Sequence, residues 1–175
     1  MKTQAALCAA LYMLWAATPA AAQALNDPVL ASPDPEALFT SPDPKLNRNK
    51  QAALHIEREL LQCGQWDRAS EWLTDAYHQH NPNAASGLKG VVYFFTQVMK
   101  VQKKENCGPL QGNFVAVMAE GDYVTVLTGT REMDDPNNPG KKYNTSWFDT
   151  WRFVDGKADE HWDPATITPR PAAAK

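Results

Sequence analysis

The sequence predicts an α+β fold, in which three N-terminal helices pack on one face of a curved, mostly antiparallel sheet of four or more strands. Two observations predict it. Apolar residues recur at helical spacing up to about residue 107, and afterwards they recur at a spacing of two. The later segments are also joined by short turns, and consecutive strands of this kind pair antiparallel while the helices cover one face. Curvature would make the sheet a cone-shaped barrel with an open mouth.

Three segments show the helical spacing. They are residues 49–65, 67–73 and 86–107, and Cys107-Gly108-Pro109 closes the last of them. Each segment has an apolar stripe along one face, which is the face expected to pack on the sheet. The stripe of the third segment consists of Val91, Phe94, Phe95, Val98 and Met99.

Four later segments alternate between apolar and polar residues, as strands do. The turn Glu120-Gly121-Asp122 joins the first two, and Asp155-Gly156 joins the last two as the signal of a tight hairpin. A longer loop rich in proline, asparagine and glycine joins the middle pair. The predicted strands are residues 113–119, 122–132, 143–154 and 157–163.

The first 24 residues have the layout of a secretory signal peptide. Lys2 precedes an apolar run from Ala5 to Ala17, and small residues ending in Ala22-Gln23-Ala24 form an A-x-A cleavage site. The run is too short to remain as a membrane-spanning helix. We therefore expect cleavage after Ala24 and a periplasmic or secreted protein. The formal net charge of −3 gives no reason to expect nucleic acid or an anionic membrane as a partner.

A proline-rich segment, residues 25–46, precedes the expected folded domain. It contains Ser-Pro-Asp-Pro twice, at 32–35 and at 41–44. Proline removes backbone donors and disfavours a helix at the preceding residue, so we expect an extended linker or a wrapping arm. The domain would then span residues 47–166, and the Pro- and Ala-rich residues 167–175 would form a disordered tail.

Two cysteines would remain after signal cleavage. Cys8 lies inside the signal, which leaves Cys63 and Cys107 in an oxidising compartment. A disulfide between them is the expected arrangement, and two separate buried thiols are the alternative.

The last two predicted strands place ionisable groups where a sheet ordinarily buries apolar ones. Because side chains alternate along a strand, Asp149, Trp151 and Phe153 share one face, and His161 and Asp163 share one. If both faces point inward, two carboxylates and an imidazole meet in a space with aromatic walls. Such a space would be a reaction or binding pocket rather than a plain core.

Two motifs, Gln79-His80-Asn81-Pro82 and Glu160-His161-Trp162-Asp163, stand far apart in the chain. Together with Phe148-Asp149-Thr150-Trp151-Arg152 and Asn49-Lys50-Gln51, they resemble the SnoaL-like polyketide cyclase group of the nuclear transport factor 2-like superfamily, over residues 47–166. The resemblance implies a cone-shaped α+β barrel, a homodimer formed through the outer face of the sheet, and no metal or cofactor. Characterised cyclases of this group perform intramolecular aldol condensation on polyketide esters.

The resemblance also implies roles for single residues. Asp163 matches the general acid/base, and a carboxylate in a water-poor pocket becomes a stronger base. His161 and His80 would orient the substrate, His80 from the cavity mouth. The group tends to carry a histidine where this chain has Asp149, which would then share a proton with Asp163 or, alternatively, pair with Arg152 in a structural network.

Aromatic residues complete the expected site. Tyr77, Trp151, Phe94 and Phe153 are most simply core residues, and some of them must wall any cavity and contact a substrate. Trp162 should lie on the outer face of the sheet, where an exposed indole suggests a dimer interface.

These patterns favour an exported enzyme that uses carboxylate and histidine acid/base chemistry on a carbonyl-type substrate, in an aldol, lyase or isomerase reaction. The alternative is a non-catalytic periplasmic small-molecule binding or stress-associated domain, because one fold hosts both. His80, His161, Asp149 and Asp163 would also make a two-histidine, two-carboxylate metal set, although no pair has helical ligand spacing.

Overall fold

A computed structural model describes residues 30–167, and in this range helices cover one face of a curved five-stranded sheet. The three α-helices are α1 (Pro44–His55), α2 (Ala69–Trp72) and α3 (Leu88–Tyr93). The helix α1 continues into the π-helical segment Ile56–Gln62, and α3 continues into the π-helical segment Phe94–Val98. The strands are β1 (Leu73–Gln79), β2 (Phe114–Glu120), β3 (Tyr123–Asp134), β4 (Lys142–Val154) and β5 (Lys157–Trp162).

The strand order is β1-β5-β4-β3-β2, with β1 parallel to β5 and every other pair antiparallel. This arrangement confirms the α+β class and the four predicted strands. It adds β1, because the sequence predicts no strand before residue 113. The predicted signal peptide and residues 168–175 of the predicted tail lie outside the described residues. No helix within residues 30–167 is long and apolar enough to cross a membrane.

The proline-rich segment forms part of the fold. Phe39 of this segment is fully buried, and its ring packs edge-on against the ring of Phe114 with the two centroids 6.0 Å apart. The backbone of Ser32 also donates to the carbonyl of Phe114 at 2.7 Å. The segment is therefore a wrapping arm from residue 30 onward, rather than a free linker.

Both Ser-Pro-Asp-Pro repeats start a helical segment. In the second repeat the Asp43 carboxylate accepts the backbone N–H of Leu46 at 2.9 Å, and Pro44 occupies the first helical position. Proline is well tolerated there because the N–H it lacks has no partner within the helix. In the first repeat Asp34 accepts the N–H of Ala37 in the same way, before a 3₁₀ turn. The first helix therefore begins at Pro44, five residues before its predicted start.

The third helix ends earlier than predicted, at Val98, and residues 99–112 follow without regular secondary structure. The predicted disulfide between Cys63 and Cys107 is present, with the two Cα atoms 5.8 Å apart. Gln65 adds a side-chain hydrogen bond to the carbonyl of Lys104 at 2.8 Å. These contacts hold the irregular segment against the end of the first π-helical segment.

Candidate active site

A cavity of about 1100 Å³ lies between the concave face of the sheet and the helices. One wall is apolar, and both π-helical segments contribute to it. Such segments are rare, and they occur frequently at functional sites. The opposite wall, from β1, β4, β5 and the residues just after β1 and β5, is polar and aromatic. The structure brings six of the predicted site residues to this cavity: Tyr77, Phe94, Asp149, Trp151, His161 and Asp163.

His161 projects from β5 into the cavity wall and is only 6% exposed. Its Nδ1 lies 2.6 Å from Oε1 of Gln79, and the same oxygen accepts the backbone N–H of Asn81 at 3.2 Å. A backbone amide can only donate, so this side-chain atom of Gln79 is its carbonyl oxygen. The Nδ1 atom must therefore carry a proton. Gln79 fixes both the orientation and the tautomer of the imidazole.

The other imidazole nitrogen, Nε2, faces Oδ1 of Asp149 on β4 at 3.0 Å. A hydrogen bond between these two atoms needs one proton. The pair is thus either an imidazolium beside a carboxylate or a neutral imidazole beside a carboxylic acid. In both states an exchangeable proton lies at the cavity wall, where it can be given to a bound molecule or taken from it.

Asp163 completes the acidic cluster from the residues that follow β5. Its Oδ2 accepts the side-chain N–H of Asn81 at 2.7 Å, and its Oδ1 accepts the backbone N–H of Ala165 at 2.9 Å. One ligand atom from each of Asp149, His161 and Asp163 lies within 4.8 Å of the other two. Asp163 is therefore held in a fixed orientation beside the proton that the other two residues share.

Tyr77 lies on the same wall and is 3% exposed. Its hydroxyl oxygen accepts the indole N–H of Trp151 at 3.2 Å. Burial raises the pKa of Tyr77, so the phenol keeps its proton at physiological pH. No acceptor among residues 30–167 takes that proton. The phenol can therefore donate it to a polar atom of a bound molecule.

Glu57 is a buried carboxyl in the first π-helical segment, one residue after the cavity-lining Ile56. Its Oε1 has no hydrogen-bond partner within the described part of the chain. Burial, and then the negative charge of Asp149, raise the pKa of Glu57 well above its ordinary value. The neutral form of Glu57 is therefore favoured, which limits the negative charge placed near Asp149.

Arg131 brings a positive charge to the exposed part of the cavity lining. Its guanidinium carbon lies 3.6 Å from the centre of the Trp147 ring, in the geometry of a cation–π contact. This residue follows a register shift in the pairing of β3 with β4. The guanidinium of Arg131 can donate a hydrogen bond to an oxygen atom of a molecule bound in the cavity.

The structure places His80 outside the cavity, which corrects its predicted position. His80 follows β1, and alternation along that strand directs Tyr77 and Gln79 inward while His78 and His80 face outward. The Nε2 of His80 lies 2.8 Å from Oε1 of Glu160, and its ring stacks on Trp162 with centroids 4.8 Å apart. Both contacts are on the outer face of the sheet.

Two further expectations are resolved by the packing. Phe153 is 2% exposed in the hydrophobic core and does not line the cavity, which corrects its predicted position. Arg152 hydrogen-bonds to Asp159 and Glu160 on the outer face, and the structural pairing of Asp149 with Arg152 does not occur. Trp162 lies on the outer face, as predicted.

Sequence reasoning missed Gln79 and the hydrogen bond from Asn81 to Asp163. Tyr77, Gln79 and Asn81 stand two residues apart, and this alternation was the signal that would have placed all three on one face of a strand. No comparable signal marks Glu57 or Arg131, because their positions depend on the π-helical segment and on the register shift.

Two groups of side chains in the described residues have the geometry to hold a metal ion. Asp149, His161 and Asp163 form one group in the cavity, and His78, His80 and Glu160 form the other on the outer face. In each group one imidazole–carboxylate contact is a hydrogen bond, between His161 and Asp149 in the cavity and between His80 and Glu160 on the outer face.

The fold and the cavity define an α+β domain with a polar-walled pocket. The family model of the SnoaL-like domain matches residues 56–161, and the chain belongs to this family. SnoaL-like domains bind small molecules, which agrees with the size of the cavity. The sequence matches no curated protein significantly.

Solved structures with a similar fold include a protein from Jannaschia sp. CCS1 assigned as a SnoaL-like polyketide cyclase. It is 20% identical, with a TM-score of 0.48, and the match covers 71% of this chain and 91% of that one. A protein from Acidithiobacillus ferrooxidans assigned as a polyketide cyclase is 18% identical, with a TM-score of 0.46 and coverage of 66% and 86%. TerC, co-crystallised with polyporic acid, is 17% identical, with a TM-score of 0.45 and coverage of 68% and 92%.

Proposed function

We propose that this protein is an exported enzyme that removes a proton next to a carbonyl group of a small, largely apolar substrate. The observation that carries the proposal is the polar cluster at the cavity wall, where Asp149 and His161 share a proton beside the fixed carboxylate of Asp163. The apolar wall opposite the cluster suits the body of such a substrate.

The geometry supports a division of roles. Asp163 is the base, because both of its oxygens are oriented by hydrogen bonds and it has no cationic partner within the described residues. As the C–H proton passes to Asp163, the pair of Asp149 and His161 gives its proton to the substrate oxygen, so that an enol forms. Tyr77 stabilises that oxygen with a hydrogen bond from its phenol.

The enol can then follow one of two routes. Return of the proton to another carbon gives isomerisation. Attack of the enol carbon on a second carbonyl gives an aldol product, and the reverse of this addition is a lyase cleavage. The shared first step, proton removal, is the part that the residues of this cavity support.

The first step can be tested before the physiological substrate is known. We expect the protein to catalyse exchange of α-hydrogens for deuterium in D₂O, followed by NMR, on a panel of apolar ketones and β-keto esters. Mass spectrometry of small molecules extracted from the purified protein would direct the choice of the panel.

Asp163→Asn should lower the exchange rate by about 10²-fold or more, since a positioned acid or base contributes at least that much. The matched control is Asp75→Asn, because Asp75 is an exposed carboxylate of β1 away from the cavity. Bound ligand should be retained by the Asp163→Asn variant. An unchanged exchange rate in Asp163→Asn would contradict the proposed role.

A non-catalytic binding domain predicts a different outcome. If the cavity only holds a ligand, the wild type will show no exchange above the buffer rate with any extracted ligand or panel compound. Asp163→Asn would then alter ligand affinity alone. The same two measurements therefore distinguish the enzyme from the binder.

We also propose that the chain is exported and forms a homodimer. Export rests on the signal-like residues 1–24, and N-terminal sequencing of periplasmic and medium fractions tests it.

The dimer rests on apolar side chains exposed on the outer face of β2, β3 and β4, namely Met118, Tyr123 and Phe148. Light scattering after size-exclusion chromatography should give twice the monomer mass for the wild type. Phe148→Glu should shift the measured mass toward that of the monomer.

A further inference from the structure

The outer face of β1 and β5 carries two histidines and a carboxylate that the proposed reaction does not use. His78 and His80 stand two residues apart, so both project from the same face. Glu160 lies beside them, because β5 pairs with β1 in a register that aligns His78 with Glu160. One ligand atom from each of the three residues lies within 4.8 Å of the other two.

The neighbouring residues hold two of these side chains in place. The ring of Trp162 stacks on His80 with an interplanar angle of 9°, and His78 contacts the same imidazole edge-on at 4.7 Å. The Nε atom of Arg152 holds Oε2 of Glu160 at 3.0 Å, so Oε1 remains directed at His80. Contacts that orient ligands in this way strengthen metal sites.

The local charges are compatible with a bound cation. The side chain of Glu160 lies on the outer face between His80 and Arg152, and it hydrogen-bonds to both. Asp159 forms an ion pair with Arg152 and offsets part of its positive charge.

We infer that His78, His80 and Glu160 form a site for a divalent transition-metal ion, with Zn²⁺ as the ion that fits best. Two imidazoles and one carboxylate with an open fourth position are a common zinc ligand set. The ligands of one tetrahedral Zn²⁺ lie about 3.4 Å apart, since each is about 2.1 Å from the ion, and small side-chain rotations reach that spacing. Mg²⁺ and Ca²⁺ prefer oxygen ligands and would bind poorly.

The site would join β1 to β5 on the side of the sheet opposite the acid/base cluster. Gln79 pairs with His161 one residue beyond His78 and Glu160, and the register of β1 with β5 shifts between Leu73 and His78. A metal ion would therefore hold β1 and β5 together just after this register shift. This inference does not depend on the proposed reaction.

Isothermal titration of the full chain with ZnCl₂, without an affinity tag, tests the site. The chain has four histidines, and each can be replaced. His78→Ala and His80→Ala should each weaken Zn²⁺ binding by at least about tenfold, because even residues that only orient a ligand cost 10- to 100-fold. His55→Gln and His161→Gln should bind as the wild type does.

A second readout keeps the test informative if a variant binds weakly for another reason. Saturating Zn²⁺ should raise the melting temperature of the wild type, and this rise should disappear in the His78→Ala variant, whose side chain is exposed. Mg²⁺ should give no rise. Absence of Zn²⁺ binding in the wild type would overturn the inference, as would binding that is lost in His161→Gln or Asp149→Asn but kept in His78→Ala.

Discussion

The two faces of the β1–β5 strand pair carry the same residue types in different environments. On the inner face His161 is buried and contacts Gln79 and Asp149, so that both of its nitrogens have hydrogen-bond partners and Nδ1 keeps a proton. On the outer face His80 is exposed and contacts Glu160. In the proposed reaction, proton donation to a substrate requires the inner environment, where water is excluded and Gln79 fixes the tautomer of the imidazole. Solvent access on the outer face instead leaves the same pair open to a cation.

The largest effect on stability should come from removing the inner indole. Trp151 is 1% exposed and donates to Tyr77, so Trp151→Ala should reduce the free energy of unfolding by about 3–5 kcal/mol. Trp162→Ala removes the half-buried outer indole that stacks on His80 and should cost about 1 kcal/mol. Urea denaturation followed by circular dichroism measures the unfolding free energy of both variants. Equal losses of unfolding free energy in the two variants would contradict the difference between the faces.

An intermediate effect should come from Glu57, through its dependence on pH. Burial raises the folded-state pKa of Glu57 above its ordinary value of about 4.5, so the stability it supports is complete below about pH 4.5 and is lost as pH rises through the folded-state pKa. Glu57→Gln removes this titration. The variant should therefore lose less stability than the wild type between pH 4.5 and 8, as measured by urea denaturation at several pH values. Parallel curves for the two proteins would show that Glu57 does not titrate in this way.

The smallest effect should come from the outer ion pairs. Glu160 is partly exposed and interacts with Arg152 and His80, so Glu160→Gln should cost less than about 1 kcal/mol in unfolding free energy. Adding 1 M NaCl should make the variant and the wild type equally stable, because salt screens exposed pairs. A loss of several kcal/mol would mean that the outer face is as desolvated as the inner one.

Much of the fold was predictable because its strands have strong local signals. The hairpin at Asp155-Gly156 and the alternation on either side of it placed Asp149, Trp151 and His161 on faces that do meet in the cavity. The disulfide was the expected arrangement because only Cys63 and Cys107 remain after the predicted signal peptide, and the structure has it. The helix start at Pro44 was missed because the proline was read as a break, whereas after a capping aspartate it is a favourable first helical residue.

The rest depended on contacts between segments distant in the chain. β1 has a mixed sequence, LTDAYHQ, whose apolar residues do not alternate regularly, and its strand form comes from pairing with β5 about 80 residues later. Without that pairing the segment is not recognisable as a strand, so the alternation that places Gln79 with Tyr77 could not be applied, and His80 was chosen instead. The burial of Glu57 likewise follows from a π-helical segment that no local pattern predicts.

The central claim is that one proton lies between His161 and Asp149 while Gln79 keeps another on Nδ1. Long-range ¹H–¹⁵N NMR of the His161 imidazole tests it most directly. The account predicts a protonated Nδ1 throughout the neutral range and an Nε2 signal that shifts on Asp149→Asn. A spectrum in which Nδ1 carries no proton, or in which Nε2 does not respond to that substitution, would contradict it.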